Sequence, residues 1–286
     1  MINVVAKYWG EDIILQAADK ARGSAMIDGI LLAESHNLTT YIYKSSIKDL
    51  KKRIDQGIPP IVIMPGIQET VQHAMVVSGY SSDERRILTY VPEPDTVGAI
   101  PESRFERDWE QDDMTAIIMI PSDMKDMLEN ERLIFKDSNR ICFEAEGLRQ
   151  RGELNKAFEK LRKAIEIDAD NAQGWCQIAG MFNETNSDEA LSYYERAIKL
   201  NPKYFLAYRG LGNYYLKKKD YSLAEAYYDK AIGVNPSRFG PIYKNRAIAR
   251  MQLANSQGAK EDLVKYLEQT PAAEDRKDIE ATIAQF

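Results

Sequence analysis

Few side chains in this sequence could carry covalent chemistry, and their scarcity narrows what that chemistry could be. Among 286 residues there are two histidines, His36 and His73, and two cysteines, Cys142 and Cys176. Imidazole exchanges protons readily near neutral pH, and a thiol becomes a strong nucleophile once a neighbour lowers its pKa. Two cysteines exclude a disulfide framework and the multi-cysteine zinc motifs. Two histidines leave little for a metal site, so neither metal nor other cofactor is expected. No Gly-rich phosphate loop, HExxH or GxSxG motif occurs. His73 opens a Val-rich run ending at Tyr80, whereas His36 follows a helical stretch and reads as a surface residue at its end.

Charge limits the partners. Residues 1–125 hold 13 Lys and Arg against 19 Asp and Glu, and the remainder holds 25 of each. An acidic front and a balanced back form no basic stripe, so nucleic acid is not an expected partner. The shift in balance suggests a boundary near residue 125. No apolar run approaches the ~18 residues of a spanning helix; Ile58–Ile67 is broken by three prolines. The opening MINVVAKYWGED has neither the basic start nor the long apolar run of a signal peptide. A cytoplasmic location is expected, and a signal peptide encoded ahead of Met1 would overturn it.

The back half repeats itself. Its clearest unit runs from Phe205 to Arg238, with Tyr208, Leu211, Gly212 and Tyr215 followed by Ala224, Tyr228, Ala231 and Pro236. Spacings of 3, 4 and 7 put one apolar stripe on each of two helices. Gly212 and Ala224 permit close approach, Tyr215 and Tyr228 fill the space beside them, and Pro236 stops the second helix. Trp175, Ile178, Ala179, Phe182, Ala190, Tyr194, Ala197 and Pro202 repeat the pattern one unit earlier. Ile141, Ala145, Leu148, Gly152, Ala157, Leu161 and Ala164 give a first unit, and Ile242, Ala249, Ala259, Leu263, Tyr266 and Pro271 a degenerate fourth. The units span 138–171, 172–204, 205–238 and 239–272, and Ala273–Gln285 would be a closing helix.

This pattern, with a period near 34, resembles the tetratricopeptide repeat, TPR. The resemblance implies a right-handed superhelix whose first helices line a groove for a peptide or protein ligand. By family register Cys142, Glu146, Cys176, Gln177, Arg209, Asn213, Tyr243 and Lys244 face that groove. Arg209, Asn213 and Lys244 could grip a carboxylate there, with Tyr243 beside them. Cys142 and Cys176 fall at equivalent positions of neighbouring units. Packed helices lie ~8–10 Å apart, beyond the ~7 Å Cα limit of a disulfide, so two free thiols are expected. Trp175 is expected between the helices of its own repeat and the preceding one.

The front half mixes element types. Ile2–Trp9 reads as a helix with Val4, Val5 and Tyr8 on one face, ended at Gly10. Met26–His36 is a second helix and Thr39–Lys44 a strand. Ser46-x-x-Asp49 is a capping box opening a helix with Ile47, Leu50 and Ile54 inward and Gly57 at its end. Ile61–Met64, His73–Tyr80, Ile87–Val91 and Ala116–Ile120 are strands, the middle two joined by a turn at Ser81–Glu84. Helices followed by an antiparallel sheet make an α+β domain. Asp126–Phe135 reads as the core of a helical connector spanning 126–137.

SIKDLKKRIDQGIPPIVIM at Ser46–Met64, HAMVVSGY at His73–Tyr80, the Pro-rich turn at Val91–Pro94 and RFERDW at Arg104–Trp109 occur in that order. Together they resemble the bacterial papain-like, bacteriocin-processing cysteine peptidases, also called double-glycine peptidases, over about residues 1–125. The resemblance makes His73 the catalytic base and Glu93, which precedes Pro94, the carboxylate that orients it, with Asp95 the fallback. In the family an imidazole held by a carboxylate activates the thiol. The family nucleophile lies about a dozen residues before the Trp that matches Trp9. This register puts its Cys about four residues ahead of Met1, and the oxyanion Gln earlier still. Cys142 and Cys176 fall in repeat helices and cannot replace it.

The expected protein is therefore a papain-like α+β domain at 1–125 and an all-α TPR superhelix at 138–286. It binds a peptide or protein and is inert as a peptidase in this chain. One alternative is an active cysteine peptidase whose start, with its Cys, lies upstream; another is a TPR adaptor for complex assembly.

Overall fold

The computed structural model describes residues 1–11, 26–66, 70–91 and 95–286. The described chain divides into two compact units, Met1–Met64 with Ala74–Gln177, and Pro65–His73 with Ile178–Phe286.

The first unit is built on a sheet of six strands: β1 (Leu38–Lys44), β2 (Ile61–Pro65), β3 (Gln72–Ser81), β4 (Arg86–Val91), β5 (Thr96–Pro101) and β6 (Thr115–Pro121). They lie in the order β1-β6-β2-β3-β4-β5. The β1–β6, β2–β6, β3–β4 and β4–β5 pairs are antiparallel. Strand β6 is central and reads TAIIMIP, buried from Thr115 to Ile120. A strand covered on both faces must be apolar at successive positions, not alternate ones. Accordingly Ile117 and Met119 join one core with Ile2, Val5, Ile27 and Ile30. Ala116, Ile118 and Ile120 join another with Ile47, Leu50, Phe105 and Trp109.

Helices α1 (Ile2–Tyr8) and α2 (Met26–Ser35) supply the first cover, and α3 (Ile47–Asp55) and α4 (Glu102–Trp109) the second. Ser46 caps α3 as its spacing requires, its Oγ accepting the Asp49 N–H at 3.2 Å. Ile54 packs against the second core as expected. Arg53 is also buried, donating to Asp49 Oδ1 at 2.8 Å and to Gln56 Oε1 at 3.0 Å. Helix α1 stops at Gly10, whose φ of +85° favours glycine. Its buried residues are Ile2, Val5 and Ala6, while Tyr8 is exposed, contrary to the expected face. Trp9 anchors the helix end by donating its indole N–H to the Met119 carbonyl at 2.8 Å.

The sequence reading missed β5 and α4. Strand β5 is short, with Val97 exposed, while Phe105 and Trp109, four apart, bury the inner stripe of α4. The connector is a further correction. Residues Ser122–Leu128 form a 3-10 turn, after which the chain leaves helix until Lys136. Leu133 is buried, and the Ile134 carbonyl accepts the Lys44 N–H at 2.8 Å, so this stretch extends beside β1 and does not coil.

Helix pairs follow: α5 (Lys136–Gln150) with α6 (Leu154–Ile167), α7 (Ala172–Glu184) with α8 (Glu189–Leu200), α9 (Phe205–Lys217) with α10 (Tyr221–Val234), and α11 (Pro241–Gln252) with α12 (Ser256–Gln269). Helix α13 (Arg276–Ile283) ends the series. Each turn within a pair contains a left-handed residue: Gly152, Asn186, Lys219 and Ala254, with φ between 57° and 80°. The first pair belongs to the sheet unit. Arg140 of α5 forms a two-pronged ion pair with Glu34 of α2, at 2.7 and 2.9 Å.

The glycines of α9 set the spacing of the second unit. A Cβ at Gly210 would overlap the Tyr194 ring, and one at Gly212 would overlap the Tyr228 ring. The last pair is held by Asp262, buried and accepting from Arg246 Nε at 2.9 Å and Arg250 Nη1 at 3.0 Å. Trp175 is less enclosed than expected: it is part-exposed, its indole N–H donating to the Ala169 carbonyl at 2.8 Å.

Two glycine substitutions should have opposite effects. Gly210→Ala should destabilise the second unit by about 1–3 kcal/mol through overpacking. Gly233→Ala, on the exposed side of α10 with no atom near the new methyl, should stabilise it by about 0.5–1 kcal/mol. Urea unfolding of each variant checks the pair; equal effects would contradict the packing.

Candidate functional site

His73 lies at the start of β3, in the part of the chain that belongs to the second unit. Its Nδ1 is 2.6 Å from the Pro65 carbonyl oxygen at the end of β2. A carbonyl oxygen can only accept, so in the neutral ring Nδ1 carries the hydrogen and Nε2 the basic lone pair. The ring is thus oriented by a backbone carbonyl.

Its support is local. Gly66 N–H donates to the Val71 carbonyl at 3.0 Å, and a Cβ on Gly66 would collide with the Thr70 carbonyl. Only glycine lets the two arms of this connection come so close. The Val71 carbonyl also accepts from Arg238 Nε at 3.1 Å. Arg238 precedes α11 and is almost fully buried, its guanidinium 4.5 Å from the centre of the Phe205 ring.

Glu93 lies outside the described residues. Asp95, the fallback, has a φ of 58° and accepts the Tyr90 hydroxyl at 2.8 Å. His36 is at the end of α2 with Nδ1 3.9 Å from Glu11 Oε2, a surface pair as its position suggested. Cys142 on α5 and Cys176 on α7 are both buried, and neither is joined in a disulfide. Burial, with Asp168 adding to it, pushes the Cys142 thiol far up from its ordinary pKa. A thiol so held stays protonated and unreactive near neutrality.

The four groove residues are already engaged. Arg209 stands over the Phe239 ring at 5.1 Å. Asn213 Oδ1 accepts from the Tyr228 hydroxyl at 2.8 Å and from Asn245 Nδ2 at 3.2 Å. The Tyr243 hydroxyl donates to the Pro236 carbonyl at 2.7 Å. Lys244 Nζ donates to Asp275 Oδ2 at 2.9 Å, and the Tyr266 hydroxyl donates to Oδ1 of the same carboxylate at 2.7 Å. These bonds hold the Asp275 carboxyl below its ordinary pKa. Asn213 thus meets a neighbouring helix while Lys244 meets the chain before α13. Among the described residues no group of His, Cys, Asp or Glu has the composition of a metal site, and no helix is long and apolar enough to cross a membrane.

Sequence reasoning missed Pro65, Gly66, Arg238 and Asp275. A carbonyl acceptor leaves no sequence signal, and Arg238 looks like any polar residue after a helix-stopping proline. Gly66 after Pro65 was a signal available in the sequence.

Comparison with known families agrees with this architecture. Residues 16–117 match the Peptidase_C39 like family, and residues 182–238 match the tetratricopeptide repeat. The chain joins a Peptidase_C39-like domain to TPR repeats. Among individual relatives, the mouse (Mus musculus) Protein O-mannosyl-transferase TMTC1 is 43% identical over 56 residues, 19% of this chain and 6% of its own length. Human (Homo sapiens) Tetratricopeptide repeat protein 6 is 40% identical over 63 residues, 22% of this chain and 12% of its own. The chain therefore spans a small fraction of either relative. Of solved structures, PilW, titled a widely conserved type IV pilus biogenesis factor, has 24% identity and a TM-score of 0.47, covering 57% of this chain and 74% of its own. PilF of Pseudomonas aeruginosa has 22% identity and a TM-score of 0.46, covering 52% and 66%.

The tautomer is directly measurable. Proton–nitrogen NMR of the imidazoles should show His73 with its hydrogen on Nδ1 at a pH where the ring is neutral. An Nε2–H pattern would contradict the bond to Pro65.

Proposed function

We propose that this chain works as a peptide- or protein-binding scaffold, with its C39-like domain serving recognition and not cleavage. The observation that carries the reading is the state of the thiols. The sequence contains two, and both are buried in repeat helices, one with its pKa raised. This reading assigns neither thiol to His73, so the part given to the histidine is recognition and not activation of a nucleophile. Without the nucleophile of a triad, only residual catalysis from binding and oxyanion contacts remains.

The ligand is a peptide with a free C-terminal carboxylate, held by Arg209, Asn213, Tyr243 and Lys244. Asp275 supports this choice: it already presents a carboxylate to Lys244. A ligand carboxylate competes with it for the same ammonium group. A charge-assisted bond of this kind contributes about 1.5–3 kcal/mol.

Calorimetric titration with peptides ending in a carboxylate or an amide tests the reading. Arg209→Ala and Lys244→Ala should each weaken carboxylate-peptide binding by roughly tenfold or more, given that each 1.4 kcal/mol is tenfold. Asp275→Asn should strengthen it. Unchanged binding in both alanine variants would refute the groove. A parallel assay with a Gly-Gly leader peptide should show no cleavage by the 286-residue chain. Cleavage abolished by His73→Ala would establish the peptidase instead.

A further inference from the structure

A buried arginine needs a reason, because its charge loses water and its N–H groups must find compensating acceptors. Arg238 is 1% exposed in a turn between helix pairs. The equivalent turn one pair earlier carries Tyr204, also buried, and the turn before that carries Asn171. Asn171 explains itself locally: its Oδ1 accepts the Gln173 N–H at 3.0 Å, and its Nδ2 donates to Asn139 Oδ1 at 2.7 Å. Arg238 reaches elsewhere. Its Nε donates to Val71, 167 residues away in sequence but in the same compact unit.

The bond it makes has a direct path to His73. Val71 O accepts both Arg238 Nε and Gly66 N, so one carbonyl joins the arginine to both arms of the β2–β3 connection. Gly66 is bonded covalently to Pro65, whose carbonyl receives the His73 Nδ1–H. His73 is itself two residues beyond Val71. The result is a closed ring: Val71, Gln72, His73, across to Pro65, then Gly66, and back to Val71. The missing Cβ at Gly66 removes the slack, since its backbone rests on the Thr70 carbonyl. Phe205, fully buried at the start of α9, fixes the guanidinium plane from one side.

We propose that Arg238 is a positioning residue for His73, setting the orientation of its imidazole through the shared Val71 carbonyl. The turn between the third and fourth helix pairs thereby addresses the residue in the family's base position. This proposal rests on the family reading of His73 for its significance. The ring geometry it concerns is nevertheless measurable whether or not the chain cleaves anything, so the two can fail separately.

The test is imidazole NMR on the full chain, with His36 as an internal control because the sequence holds just two histidines. Arg238→Met keeps the stem over Phe205 and removes the donors. It should move the His73 resonances and speed exchange of the His73 Nδ1–H by about tenfold or more, as loss of a charge-assisted bond allows local opening. The His36 signals should not change. Arg238→Lys, which restores a cationic donor, should return part of the protection. A folded Arg238→Met protein with unaltered His73 signals would overturn the proposal. If that variant does not fold, the wild-type chain decides the matter. Slow exchange of Arg238 Nε–H, with scalar coupling to the Val71 carbonyl carbon, supports the proposal, and exchange at the solvent rate overturns it.

Discussion

The second unit depends on one packing constraint: two tyrosine rings press on α9 at glycines. Tyr194 comes from α8 onto Gly210, and Tyr228 comes from α10 onto Gly212. Both rings are buried, and the Tyr228 hydroxyl continues to Asn213. Helices can approach this closely only where no side chain intervenes, and interiors packed at crystal density cannot absorb even one extra methyl without strain. The seating of α9 in turn places Phe205, which flanks Arg238. A repeat protein transmits such constraints from neighbour to neighbour, because each pair touches only the next.

The first helix pair has a different set of obligations. Arg140 meets Glu34, Arg151 meets Asp28 at 3.2 Å, and Gly147 leaves room for Ile27 of α2. Phe143 packs against the core that includes Ile117 and Met119. The pair looks in sequence like one more repeat, yet its first helix is committed to the sheet unit. Repeat periodicity reports the local helix-pair geometry, not which body a pair joins. That explains why the boundary suggested by charge balance near residue 125 and the division of the compact units near Gln177 are different quantities.

Much of the architecture was legible because it rests on short-range physics. The Ser46 cap, the turn between β3 and β4, the apolar run of β6 and the paired stripes of α9 and α10 each follow from neighbours within a few residues. The reading failed where a distant partner decided. Residues 129–135 carry a helix-like pattern, but pairing with Lys44 and burial of Leu133 extend them. Tyr8 has an apolar body and still faces solvent, because Ile2, Val5 and Ala6 already fill the inner stripe. Lys244 looked available to a ligand until Asp275 met it from beyond α12. At the site, the histidine was visible in sequence, whereas the carbonyl that orients it and the arginine bonded to Val71 were not.

These observations describe a chain whose candidate base is built into its repeat unit. Pro65–His73 sits with Ile178–Phe286, although the strands it joins belong chiefly to the sheet. Native-state hydrogen exchange in low urea tests that assignment most directly, since amides that open together lose protection together. The Gly66 amide, bonded to Val71, should lose protection in step with the amides of α9 and α10. Loss in step with the amides joining β4 and β5, while α9 and α10 remain closed, would contradict it.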